Sequence, residues 1–273
     1  MQYNSVPQNL SSCRDTLIPI DDLAFREYQK LSDMRHNIGG KQDYFENTYA
    51  NYRYYQEMLS SGLLDAEDEV ALLRLRTELG GDLLGMCRFL NRLDDWPVFN
   101  YARFLIENKR IDKYLLLLYA HTEHHGLRHL SVYYEQAGID GKVYAPDCVP
   151  SLLITPLLTA WMFVFEPVDN SSLHLLRAVP NSWYKSKFSV KKIYSSYGPV
   201  SIQVNPTDNQ VSFNIDLPLI PEGKDIWLDI SAFKSPQLVS GSTTGIAIED
   251  KRLHLSPKTV SGKETTFVLS GLA

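Results

Sequence analysis

The spacing of hydrophobic positions changes near residue 180. Before that point, apolar residues recur at helical spacing in successive blocks, and short turns rich in Gly, Asp and Pro separate the blocks. We therefore expect two helices in the first sixty residues and short antiparallel hairpins after them. The later helices are predicted over 66–79, 83–93, 99–107, 111–119 and 152–165.

After residue 188 the chain consists of short β-branched runs that alternate in part between apolar and polar residues. Turn sequences such as Asn-Pro-Thr-Asp-Asn and Pro-Glu-Gly-Lys separate them. This spacing is typical of an antiparallel β-sandwich. The sequence thus predicts an α+β chain with an irregular arm over 1–20, a helical domain over 21–180 and a β-sandwich domain over 181–273.

Bulk composition excludes several classes of protein. The chain has 273 residues, of which 44% are hydrophobic and 22% charged, as in ordinary globular proteins. A net charge of −5 argues against nucleic acid as a partner. The longest apolar run, 152–165, contains Pro156 and is shorter than the roughly twenty residues that span a bilayer, so no membrane segment is expected.

Cysteine usage and the N-terminal sequence bear on the compartment. The three cysteines are widely spaced and form no CxxC pair, which favours a reducing environment. The first fifteen residues lack the basic and apolar regions of a signal peptide. We therefore expect a cytoplasmic protein.

A polar segment lies between the two most apolar predicted helices and carries four of the seven histidines. Apolar walls around ionisable groups are typical of a reaction site, although a large helical core can present the same pattern. His121 and His125, at i and i+4, could chelate zinc. Glu123 stands in the wrong register for an HExxH motif, and no third ligand has a suitable spacing. No metal or cofactor is therefore expected, and a metal-dependent enzyme using the two histidines is kept as an alternative.

Other polar side chains of this region suit hydrogen bonding to sugar hydroxyls. His124 and His125 are candidates, and Asp147 precedes a predicted helix. Asp94 beside Trp96 could bind a sugar through its carboxylate and the neighbouring indole. A helix cap with a packing anchor is the simpler interpretation of that pair.

Five stretches surround the change from helical to strand-like spacing: YARFLIENKRIDKYLLLLYAHTEHH, LSVYYEQ, YAPDCVPSLLITPLLTAWMFVFE, LHLLRAVPNSWY and FSVKKIYSSYGPVSIQV. Together they resemble the C-terminal part of large bacterial glycoside hydrolases with an (α/α)6 toroid, the six-hairpin glycosidases, which include α-L-rhamnosidase-like enzymes. In that family the last helical hairpins lead through a line similar to LLRAVP, Trp183 and YGPVS into a small, jelly-roll-like β-sandwich. The resemblance covers roughly 82–229 and implies toroid-like hairpins, although too few helices precede residue 180 for a complete ring.

The resemblance implies inverting hydrolysis of a glycosidic bond in a carbohydrate substrate. Inversion needs two carboxylates, one as base and one as acid. The resemblance assigns the base to Glu135, and Glu123 is the only nearby substitute for the acid. Tyr133 and Tyr134 could orient the base or stack on the sugar, in a site with His124, His125, Asp94, Trp96 and Asp147.

Because parts of the toroid are missing, we expect weak or no hydrolysis by this chain alone. Exposed hairpin faces favour a homo-oligomer or a partner chain that supplies the missing hairpins. The alternative to a hydrolase is a non-catalytic, carbohydrate-binding or structural relic of such an enzyme.

Overall fold

The structure is a computed structural model that describes residues 58–62, 64–78, 82–83, 85–89, 92–127, 130, 132–138, 141–241 and 245–272. The predicted N-terminal arm and the first two predicted helices fall almost entirely on residues 1–57, outside the described residues. The domain boundaries near 20 and 180 stay predictions.

Strands predominate among the described residues. The described residues form five α-helices: α1 Ala66–Glu78, α2 Val98–Glu107, α3 Ile111–His125, α4 Val149–Phe163 and α5 Pro257–Val260. A 3-10 helix covers Asn181–Lys185. The strands are β1 Asp82–Leu83, β2 Met86–Phe89, β3 Arg92–Asp94, β4 Tyr134–Gly138, β5 Val143–Pro146, β6 Val164–Phe165, β7 Ser172–Leu175, β8 Phe188–Ser195, β9 Gly198–Pro206, β10 Gln210–Asp216, β11 Asp225–Asp229, β12 Phe233–Gly241, β13 Ile246–Glu249, β14 Arg252–Leu255 and β15 Glu264–Leu272.

Contacts between Cα atoms divide the chain into two compact units. The first unit comprises Met1–Phe104 and Ala120–Ser151, and the second comprises Leu105–Tyr119 and Leu152–Ala273.

The first unit contains an antiparallel sheet in the order β1-β2-β3-β4-β5. The central pairing joins β3 to β4, with Leu93 opposite Ala137 and Asp94 opposite Gln136. The helix predicted over 83–93 is wrong, because this stretch forms β1, β2 and the start of β3. Gly85, with φ of 80°, stands in the tight turn between β1 and β2. That left-handed conformation suits glycine in a hairpin turn and would interrupt a helix.

The second unit contains two five-stranded sheets, in the orders β12-β15-β10-β9-β8 and β13-β14-β11-β7-β6. All pairs are antiparallel except β7 with β11. Alternate residues of the central strands are buried, so each sheet has one apolar face. Tyr184 joins the two sheets: its hydroxyl donates to the Asp229 carbonyl on one sheet, and its ring contacts Phe213 and Phe233 on the other.

The predicted toroid of helical hairpins is wrong, and so is the resemblance to the six-hairpin glycosidases. Three sheets dominate the described residues, and seven strands precede residue 180, in the part that was predicted to be helical. The stretch after residue 188 does form strands. Short apolar runs such as β7 are compatible with either a buried strand or part of a buried helix, and their spacing alone does not separate the two.

Among the described residues, no helix has the length and apolar character needed to cross a membrane.

Arg177 holds the C-terminal end of α2 within the second unit. The side chain is buried, its Nε donates to the Ile106 carbonyl at 3.3 Å, and its Nη2 donates to the Glu107 carbonyl at 3.2 Å. The last carbonyls of a helix have no partner within the helix, and they carry the negative end of its dipole. A guanidinium satisfies both requirements.

We predict that Arg177→Met lowers the free energy of unfolding by about 2–3 kcal/mol, since one buried and one part-buried carbonyl lose a charged donor. Urea denaturation measures this loss. Arg110→Met is the matched control, because the Arg110 side chain is exposed, and its effect should stay within about 0.5 kcal/mol. Equal midpoints for wild type and Arg177→Met would contradict the capping role.

The lowered pKa of His174 indicates that the second unit loses stability in acid. Burial, followed by the charges of Arg177 and Arg252, lowers its pKa from 6.5 to about 4. In the unfolded chain His174 therefore becomes protonated near pH 6.5, whereas in the folded chain it becomes protonated only near pH 4. The contribution of neutral His174 to the free energy of unfolding is fully present above pH 6.5 and is lost as the pH falls from 6.5 to about 4.

We predict that His174→Gln reduces the loss of unfolding free energy between pH 7 and pH 4 by roughly 1–3 kcal/mol. Urea denaturation at both pH values gives the difference for wild type and variant. An unchanged difference would show that His174 does not titrate in this way.

Candidate metal centre

Three buried side chains, those of Asp95, His121 and His125, come together in the first unit. Their relative exposures are 1%, 0% and 0%. One potential ligand atom from each lies within 4.8 Å of the others. Two imidazoles and one carboxylate are a frequent donor set for zinc and for non-haem iron.

The pairing of β3 with β4 fixes the position of Asp95. Its backbone N–H donates to the Glu135 carbonyl at 3.2 Å, which continues the ladder one residue past the end of β3. Its own carbonyl accepts from the Val98 N–H at the start of α2. Asp95 therefore stands at a rigid corner between a strand and a helix.

The helical spacing of α3 fixes the two histidines. Residues at i and i+4 lie on the same face, so both rings point the same way. The rings stack with centroids 5.2 Å apart and an angle of 11° between their planes. His121 also stacks with Tyr133, at 5.3 Å and 7°. These contacts restrict the rotation of His121.

A backbone carbonyl sets the tautomer of His125. Its Nδ1 lies 2.7 Å from the Tyr134 carbonyl oxygen. A carbonyl only accepts, so Nδ1 carries the proton and Nε2 presents a lone pair. That Nε2 atom is buried and has no hydrogen-bond partner in the part of the chain that the structure describes. Metal-binding histidines commonly donate their other ring N–H to a carbonyl in this way.

The Asp95 carboxylate lies close to both imidazoles. Its Oδ2 is 3.2 Å from His121 Nε2 and 3.8 Å from His125 Nδ1. Two ligands of a tetrahedral zinc ion, each bonded at about 2.0–2.1 Å, are separated by roughly 3.4 Å. The contact between His121 and Asp95 therefore has a length that a shared ion requires.

Both histidines are in the uncharged form at neutral pH. Burial lowers the pKa of His121 to about 4. Burial also lowers the pKa of His125 to about 4, although Asp95 and the hydrogen bond to Tyr134 act in the opposite direction. Neutral imidazole is the form that binds metal ions.

The remaining predicted site residues are spread over the first unit. Glu135 and Tyr134 are half-buried on β4, and Glu123 is exposed on α3. Their predicted roles as catalytic carboxylates and as a sugar contact stay predictions. Of the predicted residues, His125 and Tyr134 are brought together, but through a backbone carbonyl rather than through the tyrosine ring.

The other predicted binding residues also lie in different surroundings. Trp96 is 51% exposed, His124 is half-buried, and Asp147 is exposed in a turn. Asp94 is buried on β3 and accepts a hydrogen bond from Gln136 Nε2 at 3.4 Å. Their predicted contacts with sugar stay predictions.

The sequence offered no third ligand at a suitable spacing, and the fold supplies one. Asp95 lies 26 residues before His121. It joins the two histidines because β3 ends beside α3, and this proximity has no local sequence signature. The available signal was the Asp-Asp-Trp-Pro string itself, which places an acidic residue just before a helix.

Comparison with models of known protein families finds no match for this chain, and comparison with curated protein sequences finds none either. The resemblance to six-hairpin glycosidases therefore has no support from relatives, and the β-rich fold contradicts it.

Proposed function

We propose that this chain binds a divalent transition-metal ion, with zinc as the best match, through Asp95, His121 and His125. Two observations support the proposal: Asp95, His121 and His125 are buried with one potential ligand atom from each within 4.8 Å of the others, and among the described residues the buried Nε2 of His125 has no hydrogen-bond partner.

A hydrogen-bonded cluster without an ion accounts less well for these atoms. In such a cluster His121 Nε2 donates to Asp95 Oδ2, and the lone pair of His125 stays buried without a donor. A buried group without its partner costs about 1–3 kcal/mol. Buried polar atoms without a partner are uncommon in folded proteins, and a bound ion supplies the missing partner at some of them.

The donor set selects the class of ion. Magnesium and calcium prefer oxygen ligands, whereas imidazole suits zinc, iron, cobalt and nickel. Zinc accepts the tetrahedral arrangement that three donors and one further ligand provide. The negative charge of Asp95 also compensates part of the charge of the ion in a buried setting.

Three protein donors leave a coordination position for water, as in catalytic rather than closed structural zinc sites. An ion in such a site acts as a Lewis acid and lowers the pKa of the water that it binds. A metal-dependent enzyme therefore stays a prediction that follows from the site. Glycoside hydrolysis is not proposed, because the toroid that would wall its pocket is absent from the described residues.

We predict that the full-length chain, stripped with a chelator and dialysed, binds one zinc ion. Isothermal titration calorimetry gives the stoichiometry. Zinc at one hundred times its dissociation constant should add about 2.7 kcal/mol to the free energy of unfolding. Magnesium is the negative control. Binding of cobalt should give visible absorption bands of a four- or five-coordinate ion.

His125→Gln should weaken zinc binding at least tenfold, because the lone pair of Nε2 is lost. His124→Gln is the matched control, since His124 neighbours His125 on α3 but is outside the cluster. Asp95→Asn provides a nearly isosteric second variant if His125→Gln does not fold. Equal zinc affinity of wild type, His125→Gln and Asp95→Asn would refute the proposed site.

A further inference from the structure

The second unit has a surface cleft of about 400 Å³ lined by Ser182, Trp183, Ser186 and Phe188. Its volume lies within the range of about 300–1,000 Å³ that small-molecule sites occupy. The cleft is distinct from the candidate metal centre, since its residues all belong to the second unit.

The backbone holds Trp183 at the surface. The neighbouring residue, Tyr184, is fully buried and is fixed by its hydrogen bond to the Asp229 carbonyl. The backbone N–H of Trp183 donates to the Pro180 carbonyl at 2.9 Å. The backbone carbonyl of Trp183 accepts from the backbone N–H of Ser186, also at 2.9 Å. These bonds fix the 3-10 helix, so the indole stays at the surface, where it is 38% exposed.

Two phenylalanines support the indole. The Phe188 ring meets it at 69° with centroids 6.1 Å apart, and Phe163 lies 6.3 Å away. Phe163 is buried and also contacts Phe188. The aromatic surface of the cleft is therefore preorganised, and a ligand would lose little free energy in ordering it.

The polar groups of the cleft are uncharged and available. Within the described part of the chain, the hydroxyls of Ser182 and Ser186 make no hydrogen bond, and neither does the indole N–H of Trp183. Each hydroxyl can donate and accept, and the indole N–H donates. Among the described residues no charged side chain lines the cleft, so none of these lining groups pairs with an ionic ligand.

We infer that this cleft binds an uncharged saccharide ring. A pyranose has a face of C–H groups, which can pack on the indole, and a rim of hydroxyls, which can both donate to and accept from the two serines. A purely apolar ligand would leave three polar groups unpaired. An ionic ligand would lose its hydration without gaining a charged partner.

The test uses ¹⁹F NMR of the full-length chain labelled with 5-fluorotryptophan. The chain has four tryptophans, and a Trp→Phe variant of each assigns its resonance. Methyl glycosides of glucose, galactose, mannose and rhamnose are titrated separately. We expect at least one to shift the Trp183 resonance with saturation at about 1–10 mM, a range typical of a small contact. The Trp227 resonance should not shift.

The double variant Ser182→Ala, Ser186→Ala should weaken that binding about tenfold, because two hydrogen bonds are lost. Ser189→Ala is the matched control: Ser189 is exposed on β8 and lies outside the lining, so affinity should be unchanged. The inference is overturned if no glycoside shifts Trp183 at concentrations up to roughly 100 mM. It is also overturned if the serine variant binds as well as wild type.

Discussion

The carboxylate of Asp95 is buried, and the local structure of the first unit places His121 and His125 against it. Removal of a charged group from water carries a large free-energy cost unless polar groups compensate it. Two imidazoles of α3 lie against this carboxylate, and the β3–β4 pairing holds it at the end of a strand. The same pairing places the Tyr134 carbonyl where it fixes the tautomer of His125. One buried charge thus connects the register of a sheet to the orientation of a potential ligand.

The second unit depends on apolar faces rather than on a buried charge. Buried and less buried residues alternate along its central strands, so each of its two sheets has one buried face. The buried Tyr184 contacts both sheets. Because Tyr184 occupies the interior, the adjacent Trp183 is held at the surface. A core contact therefore determines which aromatic side chain is available to a ligand.

Several helices predicted from the hydrophobic spacing are present in the structure. The helix expected over 99–107 is present as α2, and the helix expected over 111–119 is present as part of α3, which continues to His125. The helix expected over 83–93 failed because Leu83, Met86 and Leu93 fit helical spacing as well as they fit short strands, while Gly85 occupies a turn. The toroid failed for the same reason, since several short apolar runs were assigned to helices.

The candidate site was predictable only in part. The i, i+4 spacing of His121 and His125 showed that the two rings share a helix face. Nothing local to the sequence showed that Asp95 meets them, because that contact depends on where β3 ends. The unpartnered nitrogen of His125 is likewise a property of tertiary structure, since it follows from the position of the Tyr134 carbonyl.

Anomalous diffraction at the zinc absorption edge, from crystals of the zinc-loaded full-length chain, shows directly whether an ion occupies the cluster. We expect an anomalous peak about 2.0–2.2 Å from His125 Nε2, His121 Nε2 and an Asp95 carboxylate oxygen. A peak bound to other side chains would refute the proposed metal centre, and so would a His125 Nε2 that makes an ordinary hydrogen bond with no ion beside it.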